Sequence, residues 1–459
     1  MGDLWIRGGR IVTAGDDFVG DVLVRGERIA AISRGPLVPP PGTRSIEAEG
    51  LWVLPGAIDP HVHLSLDTPA GPSVDDFDTG SAAALSGGTT TLLDFVTPGR
   101  DQELEGALDR RLNQAGACRC DYGLHLSVTR LKPGSRAELA AAGPRFPSVK
   151  TYLAYQDTIG ITPAELAGVL GLCRELGLQP LVHAEQGATI AHTQAELRTR
   201  GETSPAAHPL SRPPICETEA VETALHLARQ AQVPIYFVHL SARGSLAAIG
   251  RARQQGQQVI AETCPHYLWF DDGVYARSPL AAAPFVFSPP ARPAADRQAL
   301  GDALVHGFFQ SLGTDHCPFL LRGQKDRFLA DVFAMPNGAG GIELRPALLY
   351  TGFVAPGRLS PSRWVELIST GPAQAFGLFP HKGSIAPGVD ADLVLWDPTA
   401  RWIAPEKPEF SRGDHSIYAG LELLGRPREV LLRGQSAFAA GRVTAPAGGG
   451  RLAPRKPHF

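Results

Sequence analysis

The sequence predicts an α/β protein: a TIM-type (β/α)8 barrel with a small β-sandwich domain built from both chain ends. Three observations carry this expectation. Between about residues 54 and 380, eight short apolar, β-rich runs alternate with helical segments. The first fifty residues read instead as alternating short strands broken by turns, with no helical period. A similar strand pattern returns after residue 380, and chain ends commonly lie close enough to share one domain. The expected boundaries are 1–53 and 381–459 for the two parts of the β-sandwich domain, the latter with a C-terminal tail, and 54–380 for the barrel.

Taken in order, LWIRGGRIVTA, DDFVGDVLVRGERIAAISRG and TRSIEAEGLWVLPG supply the first strands. The eight barrel runs are AIDPHVHL, TTTLLDFV, YGLHLSV, SVKTYLAY, PLVHAE, PIYFVHL, QVIAETC and FFQSLGTDH. Segments such as AELAGVLGLCRELG and ETEAVETALHLARQA, with apolar residues at helical spacing, lie between them. KGSIAPGVDADLVLWDP and REVLLRGQSAFAAGRV return to strand character.

Composition excludes several classes. With 459 residues, 43% of them hydrophobic and 19% charged, the chain can bury a large core and is not disordered. A net charge of −3, with both signs interspersed, gives no electrostatic footprint for nucleic acid or an anionic membrane. No apolar run approaches the roughly 18 residues of a membrane span, and the start lacks a secretory pattern, so a cytoplasmic protein acting on a small molecule is expected. The six cysteines are scattered, as free thiols are in a reducing compartment; Cys118 and Cys120 form a C-x-C that no second pair answers.

In a barrel, chemistry sits at the C-terminal strand ends. The first run ends in Asp59-Pro60-His61-Val62-His63, where residues i and i+2 of an extended strand project to one side. The fifth run ends at His183, the sixth at His239 and the eighth at Asp315. Four histidines and an aspartate, with no thiolate, suit Zn²⁺ or another borderline divalent ion, and they exceed what one open site needs, which hints at two metals. Two adjacent cations want a bridging anion. The fourth run supplies Lys150, whose burial in a barrel mouth would favour the neutral amine, and neutral amines react with CO₂ to give a carbamate. His316 follows Asp315 and should point away from the site; His125 and His266 are read as pocket or structural groups, and His192, His208, His226 and His306 as solvated or capping ones.

GAIDPHVHL, VKTYLAY, VHAEQG, FVHLSARG, ETCPHYL, FSPPARP, SLGTDHCPF and MPNGAGGIELR occur in the order and spacing of the cyclic amidohydrolases, and the chain resembles the D-hydantoinase and dihydropyrimidinase family over essentially its whole length. The resemblance implies two zinc ions. His61, His63, carbamylated Lys150 (N6-carboxylysine) and Asp315 would hold one, and Lys150, His183 and His239 the other. It further implies Tyr155 as donor to the substrate carbonyl oxygen, Ser288 and Asn337 at the ring's amide edge, and Asp315 as general base toward a metal-bridged hydroxide. The implied reaction is hydrolysis of a cyclic amide to an N-carbamoyl amino acid. A homotetramer is implied too, with the C-terminal segment reaching a neighbouring subunit.

The sequence departs from the family in two places. Asp67-Thr68-Pro69-Ala70-Gly71, after the first barrel strand, is small and polar where the family carries bulky hydrophobic residues, and Gln186 stands where asparagine is usual. Allantoinase and dihydroorotase share the metal motifs and stay open as alternatives; for the latter, Arg292 could clamp a substrate carboxylate. A noncatalytic assembly protein of the same fold is a further alternative, but it would have lost metal ligands, and every ligand position is filled here.

Overall fold

The structure, a computed structural model, describes residues 3–457; the first two and last two residues lie outside it. Strands β1 (Leu4–Val12), β2 (Asp17–Arg25), β3 (Arg28–Ser33), β4 (Arg44–Glu47) and β5 (Trp52–Pro55) form at the start of the chain. The barrel strands follow: β6 (Ala57–Val62), β7 (Thr89–Val96), β8 (Asp121–Ser127), β9 (Ser148–Tyr152), β10 (Gln179–His183), β11 (Ile235–Phe237), β12 (Val259–Thr263) and β13 (Ser311–Leu312). β14 (Leu393–Ile403), β15 (Glu422–Leu432), β16 (Gln435–Ala439) and β17 (Arg442–Val443) return to the first group.

The terminal strands make one nine-stranded sheet, β17-β16-β15-β14-β5-β1-β2-β3, with β4 pairing β1 off that path. The join between the chain ends is the antiparallel β5–β14 ladder, from Leu393 opposite Pro55 to Trp396 opposite Trp52. Leu4, Ile6, Val22, Val24, Val53, Leu393 and Leu431 share one apolar cluster on this sheet. β6 to β13 run parallel in sequence order, and a bridge between Val62 and His316 brings the last strand back to the first, nearly closing the barrel. Its strands are buried along almost their whole length, which is why they read as continuous apolar runs rather than alternating ones.

Local signals set the outer layer. Helix Pro163–Leu176 starts with proline in its first turn, Thr162 and Glu165 closing a capping box, and ends at Gly177 in the left-handed conformation. It buries Leu166, Val169, Leu170 and Cys173, the i, i+3, i+4, i+7 stripe of the sequence, each leucine contributing roughly 1.5–3 kcal/mol. No helix of the described residues is long and apolar enough to cross a membrane. All six cysteines are buried and free.

The C-terminal segment stays with its own barrel. Arg455 donates to the carbonyls of Leu124 (2.9 Å) and Phe376 (2.8 Å) and to Ser148 Oγ (2.7 Å), and Leu452 bridges to Tyr122. A guanidinium has enough donors to meet these three acceptors at once.

Candidate metal centre and active site

The first barrel strand delivers His61 and His63 as its spacing predicts. His61 Nε2 lies 3.3 Å and His63 Nε2 3.2 Å from Asp315 Oδ1, and the three ligand atoms fall within 4.8 Å of one another. Asp59 fixes both arms of this group: its Oδ1 accepts from the backbone N–H of His61 (3.2 Å) and of Thr314 (3.1 Å), and its Oδ2 from Thr314 Oγ (2.6 Å). His183 and His239 meet separately, with His183 Nδ1 2.9 Å from His239 Nε2. The His61 and His239 rings stack with centroids 5.3 Å apart, so the two groups adjoin. Tyr155, His239 and Asp315 all take positive φ (61°, 38° and 52°), a sparsely populated conformation for side chains of this size that active sites often hold.

The chemistry of these groups fits divalent cations. Desolvation lowers His63, His183 and His239 from the usual imidazole range, leaving them neutral and able to ligate. Among the described residues, the buried His61 Nε2 and Lys150 Nζ have no hydrogen-bond partner, an expensive arrangement for polar atoms unless something else binds them. Lys150 is fully buried, its Nζ 5.1 Å from the ring centre of Phe95 and 5.0 Å from that of Tyr152. Desolvation pulls its amine down to about 7, partly opposed by Asp315 and Glu262. An unpaired amine drawn toward its neutral form is the nucleophile that carbamate formation from CO₂ needs.

Three buried carboxylates escaped the sequence reading. Glu262 Oε1 accepts from His61 Nδ1 (2.8 Å) and from the N–H of His239 (3.1 Å), and Oε2 from Tyr236 OH (2.6 Å). Gly313 leaves room for it: a Cβ there would stand 2.9 Å from His61 Cβ and 3.0 Å from Glu262 Cδ. Glu185 Oε2 accepts from His183 Nε2 (2.9 Å) and pairs with Arg212, which together hold its carboxyl at about 2 despite burial. The third is Asp59. The available signal was an acidic residue inside an apolar run, since a buried carboxylate requires donors.

Tyr155 stands beside His183 (ring centres 5.4 Å) and under the Arg212 guanidinium, 5.1 Å from its ring centre. Desolvation raises its phenol above the ordinary range, with Arg212 drawing it back, so it stays a proton donor at neutral pH. Ser288 Oγ and Asn337 Oδ1 are buried and without partners among the described residues, as groups awaiting a ligand are. Arg292 is buried, donating to Ser241 Oγ (2.9 Å) and lying 3.5 Å from Glu217 and 3.8 Å from Glu185, so its charge is balanced by carboxylates of the chain itself.

The remaining histidines divide. His316 turns away, its Nε2 2.9 Å from Asp75 and its Nδ1 accepting from Gly341 N–H at 3.2 Å. His125 is tied to Ser148 Oγ and the carbonyl of Pro60. His192 is exposed beside Glu196, and His306 bonds the carbonyl of Asp302 at a helix end. His208 differs from expectation: it is buried, donating to the carbonyl of Phe287 at 2.8 Å, because its short helix packs inward.

Residues 52–435 match the model of the amidohydrolase family. The chain is 38% identical over 435 residues to a D-hydantoinase of Ralstonia pickettii, covering 94% of each, and 36% identical over 439 residues to a dihydropyrimidinase of Arabidopsis thaliana, covering 94% of this chain and 81% of the relative. Among solved structures, a dihydropyrimidinase from Brevibacillus agri superimposes with a TM-score of 0.97 at 34% identity, covering 100% of this chain and 99% of the other. Barrel, strand-end ligands and these likenesses agree, and the chain belongs to the amidohydrolase family, among its hydantoinases and dihydropyrimidinases.

Proposed function

We propose that the protein opens the ring of hydantoins or dihydropyrimidines, hydrolysing one cyclic amide C–N bond to give an N-carbamoyl amino acid. The observation that carries this is the convergence of His61, His63 and Asp315 at the barrel mouth of a chain from this family. His61, His63 and Asp315 would hold one divalent ion, His183 and His239 a second, with Lys150 as its carbamate joining both; zinc is the metal that this donor set favours. When bound, the two ions would polarise the ring carbonyl and lower the pKa of water toward neutrality.

The chain's own groups do the rest. Tyr155 donates its hydroxyl hydrogen bond to the carbonyl oxygen and holds the charge that develops there. Asp315 takes the proton of the attacking water and returns it to the departing ring nitrogen, so that the C–O bond forms as the C–N bond breaks. Ser288 and Asn337 bind the amide edge of the ring and fix which carbonyl faces Asp315. The subunits assemble as a homotetramer, as the family resemblance implies.

A dihydroorotate substrate is disfavoured because the charge of Arg292 is already balanced by Glu217 and Glu185. The test is ring opening by the zinc-loaded protein across dihydrouracil, hydantoin, 5-phenylhydantoin, allantoin and dihydroorotate, with a chelated sample alongside. Metal-dependent turnover of the first three supports the proposal. Turnover of allantoin or dihydroorotate alone overturns the substrate class, and turnover that survives chelation overturns the metal.

A further inference from the structure

Ser288 and Asn337 stand on different loops, so their usefulness as a pair depends on what holds those loops in register. The junction is the carbonyl of Val286, two residues before Ser288. It accepts the N–H of Gly338, the residue after Asn337, at 3.0 Å, and the amine of Lys325 at 2.7 Å. The Asn337 loop has no slack of its own: Gly338 packs so closely on Cys317 that a Cβ would lie 2.3 Å from its carbonyl oxygen, and Cys317 N–H bonds Ala339 at 3.0 Å.

Lys325 itself is fully buried. Its backbone N–H bonds the carbonyl of Leu320 at 3.0 Å, and the adjacent Gln324 donates to Pro72 at 2.9 Å, in the loop that follows His63. The segment thus touches two walls of the site, the Ser288 loop and the loop after His63. A single hydrogen bond does not offset the desolvation of a buried amine, and burial holds this one down at about 7. As a stabilising element Lys325 is a poor choice; as a cross-link at the Val286 carbonyl it acts where the two substrate-facing groups are joined.

We infer that Lys325 is a positioning residue that holds Ser288 and Asn337 in the register needed to grip one amide edge of the substrate ring. The inference rests on the reading of Ser288 and Asn337 as substrate-binding groups. Lys325→Met keeps the bulk and removes the donor; Lys325→Gln keeps a donor at shorter reach. Both are assayed as metal-loaded enzyme on the cyclic amide opened fastest, beside Ser288→Ala and Asn337→Ala. Lys325→Met is expected to raise KM about tenfold with kcat within about threefold, on the scale of one hydrogen bond lost in a bound state. Bound metal should stay unchanged and the melting temperature unchanged or higher, Lys325→Gln falling between Lys325→Met and the parent in KM. A normal KM in Lys325→Met, alongside a raised KM in Asn337→Ala, overturns the inference while leaving the substrate reading intact. Normal KM in both alanine variants overturns the substrate reading and the inference with it. A lowered melting temperature with normal KM in either lysine variant assigns Lys325 to stability alone and overturns the inference equally.

Discussion

Glu262 Oε1 lies 2.8 Å from one nitrogen of the His61 ring, and the other nitrogen faces Asp315 at 3.3 Å. Because an ionised carboxylate only accepts, Nδ1 of His61 carries the proton and Nε2 presents its lone pair to the metal position. The same Glu262 oxygen bonds the backbone of His239, so one carboxylate orders a ligand of each group.

Glu262→Gln should therefore weaken metal binding about 10- to 100-fold, read as faster loss of the ions to a chelator. Tyr236→Phe, which removes only the bond to the other oxygen, should have a smaller effect. Unchanged release in Glu262→Gln would mean that packing alone orients His61.

Lys150 offers a test of the bridge. Lys150→Ala should lose most of its metal and activity, and short carboxylic acids should restore part of both. Only the neutral amine captures CO₂, and with an amine at about 7 that form prevails at pH 8 and recedes at pH 6. Metal uptake by the stripped protein should therefore be stimulated by bicarbonate and be faster at the higher pH. A fully metallated and active Lys150→Ala protein would refute the bridge.

The strand-end groups were legible because a parallel barrel sends every strand's C-terminal end to one mouth, so His61, His63, His183, His239 and Asp315 could be found run by run. Glu262 was not, because its partner His61 lies 201 residues away and nothing in ETC records which ring it meets. His208 was misread for a related reason: helical spacing reports which face is apolar, and the inward acceptor that makes its burial tolerable is the Phe287 carbonyl on a distant loop. The contacts that the C-terminal segment makes with its own barrel were equally hidden, since they depend on distant acceptors such as the Leu124 carbonyl, 331 residues from Arg455.

His208 makes stability depend on pH. Desolvation and the nearby Arg212 lower its pKa to about 3, whereas the unfolded chain has an ordinary imidazole near 6.5. Between those values the unfolded state binds more protons, so this contribution is complete above about pH 6.5 and is lost as pH falls toward 3. His208→Gln can keep the bond to Phe287 without titrating. Its unfolding midpoint in urea should fall less than the parent's between pH 7 and pH 5; parallel slopes would show that His208 does not govern the acid limb.

At the opposite end of the barrel from the ligands, Lys382 lies buried among Asp121, Asp390 at 3.1 Å and Asp392 at 2.6 Å, joining the barrel to the terminal sheet. The amine is the principal compensation for Asp392, while Asp121 is also met by Arg433 and by the N–H of Arg451. The carboxylates favour the charged amine more than burial opposes it, so Lys382 is held above the usual lysine range. Lys382→Met would leave a buried carboxylate unpaired and should cost about 3–5 kcal/mol. Adding Asp392→Asn removes that charge and should recover part of the loss. Because the ligand-bearing strand ends are remote, bound metal and KM should not move in either variant. A cost below about 1 kcal/mol, the range of an exposed pair, would mean that water reaches the cluster and that the two parts are held together by apolar packing instead.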